Sequence, residues 1–224
     1  RSPYILLHGR FMAEEGARYF ANAYKYGFYY SFFFVDFISG YLNLWANISG
    51  IIANIFTLKL APLISNYLAL VPKLLIFYFI LYKDSYLIDK FQYKLLLCLL
   101  ILLSPFNVPE IWLNSINSQI FFCILSFLVV FNKNEKKDIN YLNLLIILLA
   151  GFTGVYTCVL LPIFFFKYLK FKTLQDKYNL IILLFCAISQ FIIIAFAKTM
   201  NLLYEGKLHA VDINLIYNYF YNIP

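Results

Sequence analysis

The side chains able to do chemistry gather near the start of this chain. Within GRFMAEEGARYFANAYKYGFYYSFFF (Gly9 to Phe34), two adjacent carboxylates, Glu14 and Glu15, stand between Arg10 and Arg18 and among many aromatics. Adjacent carboxylates exchange protons or form ion pairs. On a helix, Arg18 lies four and three residues from them, a pairing worth about 0.3–0.5 kcal/mol each. Asp36 reads as a turn residue, with a second acid or a metal ligand as the alternative. Lys73 follows Pro72 inside an apolar run. A charge at that depth is costly and marks function by default; a kink at Pro72 with the ammonium reaching for an interface is the competing reading. Cys98, Cys123, Cys158 and Cys186 each sit in an apolar run and read as small hydrophobic side chains, not disulfides or metal ligands. His8 and His209 have no cysteine nearby, so no zinc-site spacing exists.

The elements that must position these residues are apolar. The 224-residue chain is 63% hydrophobic and 13% charged, with mean hydropathy +0.76. An average soluble domain is about 25% charged. The composition predicts an all-α, polytopic transmembrane helical bundle. Continuous apolar runs, not alternating ones, argue against a barrel. Spans are expected at about 62–82, 87–105, 115–131 and 178–198. The net charge of +7 is carried by loop lysines and does not call for a nucleic-acid partner.

Lysine placement sets the expected sidedness. Lys83, Lys90 and Lys94 occupy the 83–94 loop, Lys133, Lys136 and Lys137 the 132–141 loop, and Lys167, Lys170, Lys172 and Lys177 the 167–177 loop. The 106–114 loop has no Lys or Arg. Lysine-rich short loops belong to the cytoplasmic side. Loops 132–141 and 167–177 then share a side, so 142–166 must enter and leave together. GFTG (Gly151 to Gly154) divides that stretch into two pieces too short to span, which predicts a hairpin of short helices. One kinked span with an orientation exception is the alternative. The N-terminal 1–61 segment, the 106–114 loop and the 199–224 tail fall on the extracytoplasmic face, around the 62–198 transmembrane region.

Residues 13–26 suit an amphipathic interfacial helix, with Ala13, Ala17, Phe20 and Tyr24 on one face and Glu14, Glu15, Arg18, Asn22 and Lys25 on the other. Gly27 is expected to end it. Residues 41–57 repeat the design, with Trp45, Ile48, Ile52 and Ile55 opposite Asn43, Asn47, Gly50 and Asn54. The aromatic stretch between them suits the headgroup level.

These stretches resemble a family. AEEGARYFANAYKYG followed by DFISGYLNLWANISGIIA is similar to the first extracytoplasmic loop of GT-C-fold integral membrane glycosyltransferases. The matching positions are Glu14, Glu15 and Gly16, then Tyr19 and Phe20, then Gly40, Tyr41 and Leu42. IWLNSINSQIFFCIL and LAGFTGVYTCVLLPIFFFKYL resemble later elements of that fold. The chain departs from the family in its Glu-Glu pair, where Asp-containing pairs are usual. It also lacks the family's first span and its C-terminal helices, which reads as a piece of a longer protein.

The resemblance implies transfer of a sugar from a polyprenyl-phosphate donor to a glycan, lipid or protein acceptor at the outer face of a bacterial inner membrane. It implies a carboxylate general base, Glu14 or Glu15, with Glu14 favoured. Arg10, Arg18 and Lys73 become candidates for the donor phosphate; for the arginines, lipid headgroups are the alternative partner. Asp36, Tyr41, Trp112, Asn114, Asn117 and His209 become substrate-binding candidates, with Asp212 beside the last. For Asn114 and Asn117, helix entry at a span boundary is the competing role. The resemblance fixes no cofactor, and a divalent metal is compatible with it. A transporter or flippase of an amphipathic substrate, or a non-catalytic relative of the fold, are the other functions open to such a chain.

Overall fold

Pro72 dictates the first packing decision. It sits inside the 22-residue helix Ala61–Tyr82 and has no N–H to offer the carbonyl of Leu68, four residues back. The indole N–H of Trp45 takes that carbonyl at 3.2 Å. A neighbouring helix thus repairs the backbone, and the helix runs on through the proline.

The computed structural model of the chain describes residues 3–83, 85–86, 88–103, 109–132 and 139–200. The 133–138 lysines, His209, Asp212 and the tail beyond 200 lie outside the described residues. The described chain is all-α, in the order α1 (Pro3–His8), α2 (Ala21–Phe32), α3 (Leu44–Asn54), α4 (Ala61–Tyr82), α5 (Phe91–Leu103), α6 (Pro109–Trp112), α7 (Ser118–Val130), α8 (Tyr141–Phe152), α9 (Leu161–Phe171) and α10 (Leu174–Thr199). Two-residue strands, β1 (Val35–Asp36) and β2 (Tyr41–Leu42), form an antiparallel pair between α2 and α3.

Helices α4 and α10 are long and apolar enough to cross a membrane, with 22 and 26 residues. At 1.5 Å per residue they reach about 33 and 39 Å, against a hydrocarbon core of about 30 Å. Helices α5, α7 and α8 are shorter, at 13, 13 and 12 residues. Large apolar side chains face outward, among them Leu96 and Leu100 on α5 and Phe185, Phe191 and Ile192 on α10. Exposed apolar area of this kind, with the two long helices, points to membrane association.

The loops sort to opposite ends. At one end, Ser85 pairs with Asn132, and the rings of Tyr86 and Phe171 stack 6.0 Å apart. There the Asn140 N–H donates to Gln175 at 2.6 Å, and Lys167 pairs with Asp176. The segment from α8 to α9 therefore leaves and returns to the same end of α10. It reverses at Thr153 and Gly154. Gly154 takes φ +84°, and a Cβ there would lie 2.1 Å from the Gln119 side-chain oxygen, so the turn needs glycine. Its N–H donates to Leu42 O at 3.0 Å. Gln190 of α10 accepts from the Leu42 N–H and donates back to Leu42 O and to Gly151 O. This clamp ties the far end together.

Two expectations about the N-terminal segment need correction. Residues 13–26 are not one regular helix. A 3-10 turn, Ala13–Glu15, leads into a π turn, Gly16–Phe20, and then α2. Glu15, Tyr19, Phe20 and Ala23 are buried while Ala13, Ala17 and Tyr24 are exposed, so of the expected apolar face only Phe20 turns inward. Gly27 breaks the helical backbone as expected, at φ +76° and ψ −172°, and a second helical stretch follows it within α2.

Helix α3 is enclosed by protein, and its small polar side is the buried side. Asn43 caps it, accepting from the Ala46 N–H, and donates to Ile116 O. Asn47 donates to the carbonyls of Phe32 and Phe34. At Gly50 a Cβ would sit 2.7 Å from Tyr19 O, so the small residue permits close backbone approach. Ile48 and Ile52 are half-buried, and Ile55 is exposed. The polar stripe satisfies backbone carbonyls inside the fold, which explains why it turns inward.

Candidate functional site

The adjacent carboxylates face opposite ways. Glu15 is 2% exposed and accepts four hydrogen bonds. Its Oε1 receives the Ser115 N–H and the Ser115 hydroxyl, both at 2.6 Å, and the Ser65 hydroxyl at 3.1 Å. Its Oε2 receives the Met12 N–H at 2.8 Å. Ser49 extends the chain to Ser65 at 3.0 Å. Three of these donors converge on Oε1 and one on Oε2, so the buried group is committed to holding the fold rather than presented to a substrate. It joins the N-terminal segment to α4 and to the turn before α7. Glu14, the favoured of the two candidate bases, is exposed, and its carboxylate has no hydrogen-bond or ion-pair partner among the described residues.

Burial pushes the Glu15 pKa up from the usual carboxylate range, against the pull of its hydrogen bonds. The folded state then binds a proton at a pH where the unfolded chain has released it. Stability from this source is full below the unfolded value and is lost as pH rises through the folded one. The stability of the wild type relative to Glu15→Gln should therefore grow on acidification from about pH 8 to about pH 5. Thermal unfolding of both proteins across that range checks it; a gap that shrinks on acidification contradicts it.

Lys73 lies about two helical turns along α4 from Ser65 and is 1% exposed. Its ammonium donates back to Ala69 O at 2.6 Å and lies 4.3 Å from the Phe121 ring centroid. It interacts electrostatically with Glu15. Lys73 neither reaches an interface nor opens to a ligand. Its enclosure, at 1% exposed, argues against a donor-phosphate role.

Arg18 pairs with Asp36, not with the glutamates. Asp36 also accepts from the Ser39 hydroxyl at 2.6 Å and the Ile38 N–H at 3.3 Å, and its carbonyl accepts the Gly40 N–H. It is the turn residue of the β1–β2 hairpin and the anchor of Arg18. Asp36 is thus committed, and a divalent metal would have to displace Arg18. Among the described residues no three His, Cys, Asp or Glu side chains group as metal ligands would. Arg10 is exposed, while its backbone is held by Asn66 at 2.9 and 2.8 Å.

Tyr19 and Tyr41 complete the cluster. Burial raises both phenol pKa values, and each ring feels the charges of Asp36 and Glu14. Tyr41 is half-buried and accepts from Gln119 at 3.3 Å. Glu14, Arg18, Asp36, Tyr19 and Tyr41 thus share one electrostatic neighbourhood at the end opposite the 83–94 and 167–177 lysines.

The other substrate candidates are structural. Trp112 packs against Phe77 and Phe121, so its ring faces are taken up by the core. Asn114 is 1% exposed and bonds the Ile116 N–H within its own turn. Asn117 donates to Glu110 O at the entry to α7. The residues that sequence reasoning missed are Ser65, Asn66, Ser115, Gln119 and Gln190. Their signal was a polar side chain inside or beside an apolar run.

Neither a protein-family model, nor a curated protein, nor a solved structure matches the chain.

Proposed function

We propose that the chain is a multi-pass membrane glycosyltransferase resembling the GT-C fold, with a polyprenyl-phosphate sugar as donor and Glu14 as general base. In this reading the shorter helices α5 and α7 cross with α4 and α10, and the α8–α9 hairpin dips in from the lysine end. The carboxylate end faces away from the cytoplasm of a bacterial cell. The observation that carries the reading is the division of labour in the acidic pair. One carboxylate is saturated and holds the loop; the other is presented to solvent by that rigid support.

The acceptor hydroxyl oxygen attacks the anomeric carbon of the donor, and the bond from that carbon to the phosphate oxygen breaks. Glu14 receives the hydroxyl proton, and the polyprenyl phosphate leaves as an anion. Arg18, oriented by Asp36 and partly exposed, and Arg10 are the cations available to that phosphate. Tyr41 supplies a half-buried ring and hydroxyl beside them. The exposed aromatics Tyr24, Phe28, Tyr29 and Phe33 offer an apolar apron at headgroup level for the isoprenoid.

Membranes containing the protein, given a radiolabelled polyprenyl-phosphate sugar, should release polyprenyl phosphate and label an acceptor. Uptake of an amphipathic substrate into proteoliposomes with no glycan product would replace this reading with that of a transporter.

A further inference from the structure

The lysine end carries a second site. Between α7 and α9 lies a cleft of about 530 Å³. Val130, Phe131, Ile163 and Phe166 form its apolar wall, and Tyr86 and Phe171 stack at its rim. Two cations, Lys167 and Lys170, line the same cleft. Lys170 is exposed, with its ammonium 5.2 Å from the Phe171 ring centroid. Lys167 is different: its ammonium nitrogen is buried and pairs with Asp176 at 3.1 Å, yet makes no hydrogen bond of proper geometry. Asp176 is held in turn by the Thr173 hydroxyl at 2.6 Å.

We propose that this cleft binds an anionic phospholipid, its phosphate at the exposed Lys170 and its first acyl carbons against Phe131, Ile163 and Phe166. A free anion would use the lysines and leave the apolar wall wet. A zwitterionic lipid would fill the wall but carry a compensating cation to Lys170. Only an anionic lipid matches both halves. Basic pockets between helices on the cytoplasmic side take such headgroups, and anionic lipids are abundant there. The inference rests on the lysine end being cytoplasmic, and it is independent of sugar transfer at the other end.

The test uses the detergent-solubilised full chain, with Trp45 and Trp112 fluorescence reporting thermal unfolding. Dioctanoyl-phosphatidylglycerol should raise the midpoint, while dioctanoyl-phosphatidylcholine and glycerol 1-phosphate should not. Lys170→Gln should weaken the phosphatidylglycerol response at least tenfold in concentration. Lys90→Gln, which removes an equal charge from the same end but outside the cleft, should leave it intact. Lys167 is kept, because its loss strands Asp176. An equal response to phosphatidylcholine would reduce the site to an apolar groove and overturn the proposal. An equal response to glycerol 1-phosphate would make it a free-anion site. An unchanged response in Lys170→Gln would also overturn it, as would a loss in Lys90→Gln matching that in Lys170→Gln.

Discussion

Replacing Glu15 with leucine is expected to destabilise the folded protein by about 3 kcal/mol or more, because buried donors are left without an acceptor. Four donors lose their acceptor together: the Met12 and Ser115 amides and the Ser65 and Ser115 hydroxyls. Each orphaned group costs about 1–3 kcal/mol when water cannot reach it. Urea unfolding of the solubilised protein, or its yield in the membrane fraction, reads the effect. Equal stability of Glu15→Leu and wild type would mean that the carboxylate does not hold the loop.

The second large effect is on turnover. Glu14→Gln keeps the size of the side chain and removes the base. Sugar transfer should fall by about 10²–10⁴-fold, the usual contribution of a positioned base. The unfolding midpoint should move little, because Glu14 is exposed and unpartnered among the described residues. Glu15→Gln should do the reverse, lowering stability first and activity only through the fold. A stable Glu14→Gln protein with full transfer would remove Glu14 from the chemistry.

The contrast between these neighbours shows where sequence reading stopped. Helix α4 was legible because a long apolar run has few alternatives, and α10 for the same reason. The break at GFTG was legible because glycine and a short apolar length cannot be reconciled with a single span. The orientation of Glu15 was not. The expected amphipathic pattern assigns Glu14 and Glu15 to one polar face, whereas adjacent residues on a helix point about 100° apart and Glu15 falls on the side that Tyr19 and Ala23 bury. Helix α3 misled for a related reason. Its asparagines look like a water-facing stripe, but asparagine also satisfies buried carbonyls, and periodicity cannot distinguish the two uses. Lys73 was legible as an anomaly, and only packing revealed that Ala69 O and the Phe121 ring hold its ammonium.

Both proposals require that the glutamate and lysine ends lie on opposite sides of a membrane. Single cysteines at Glu14→Cys and Lys170→Cys, in a background with Cys123 and Cys158 replaced by alanine, test this directly. In intact cells a membrane-impermeant maleimide should modify position 14 and reach position 170 only after permeabilisation. Modification of both positions from outside, or of neither before permeabilisation, would contradict the arrangement.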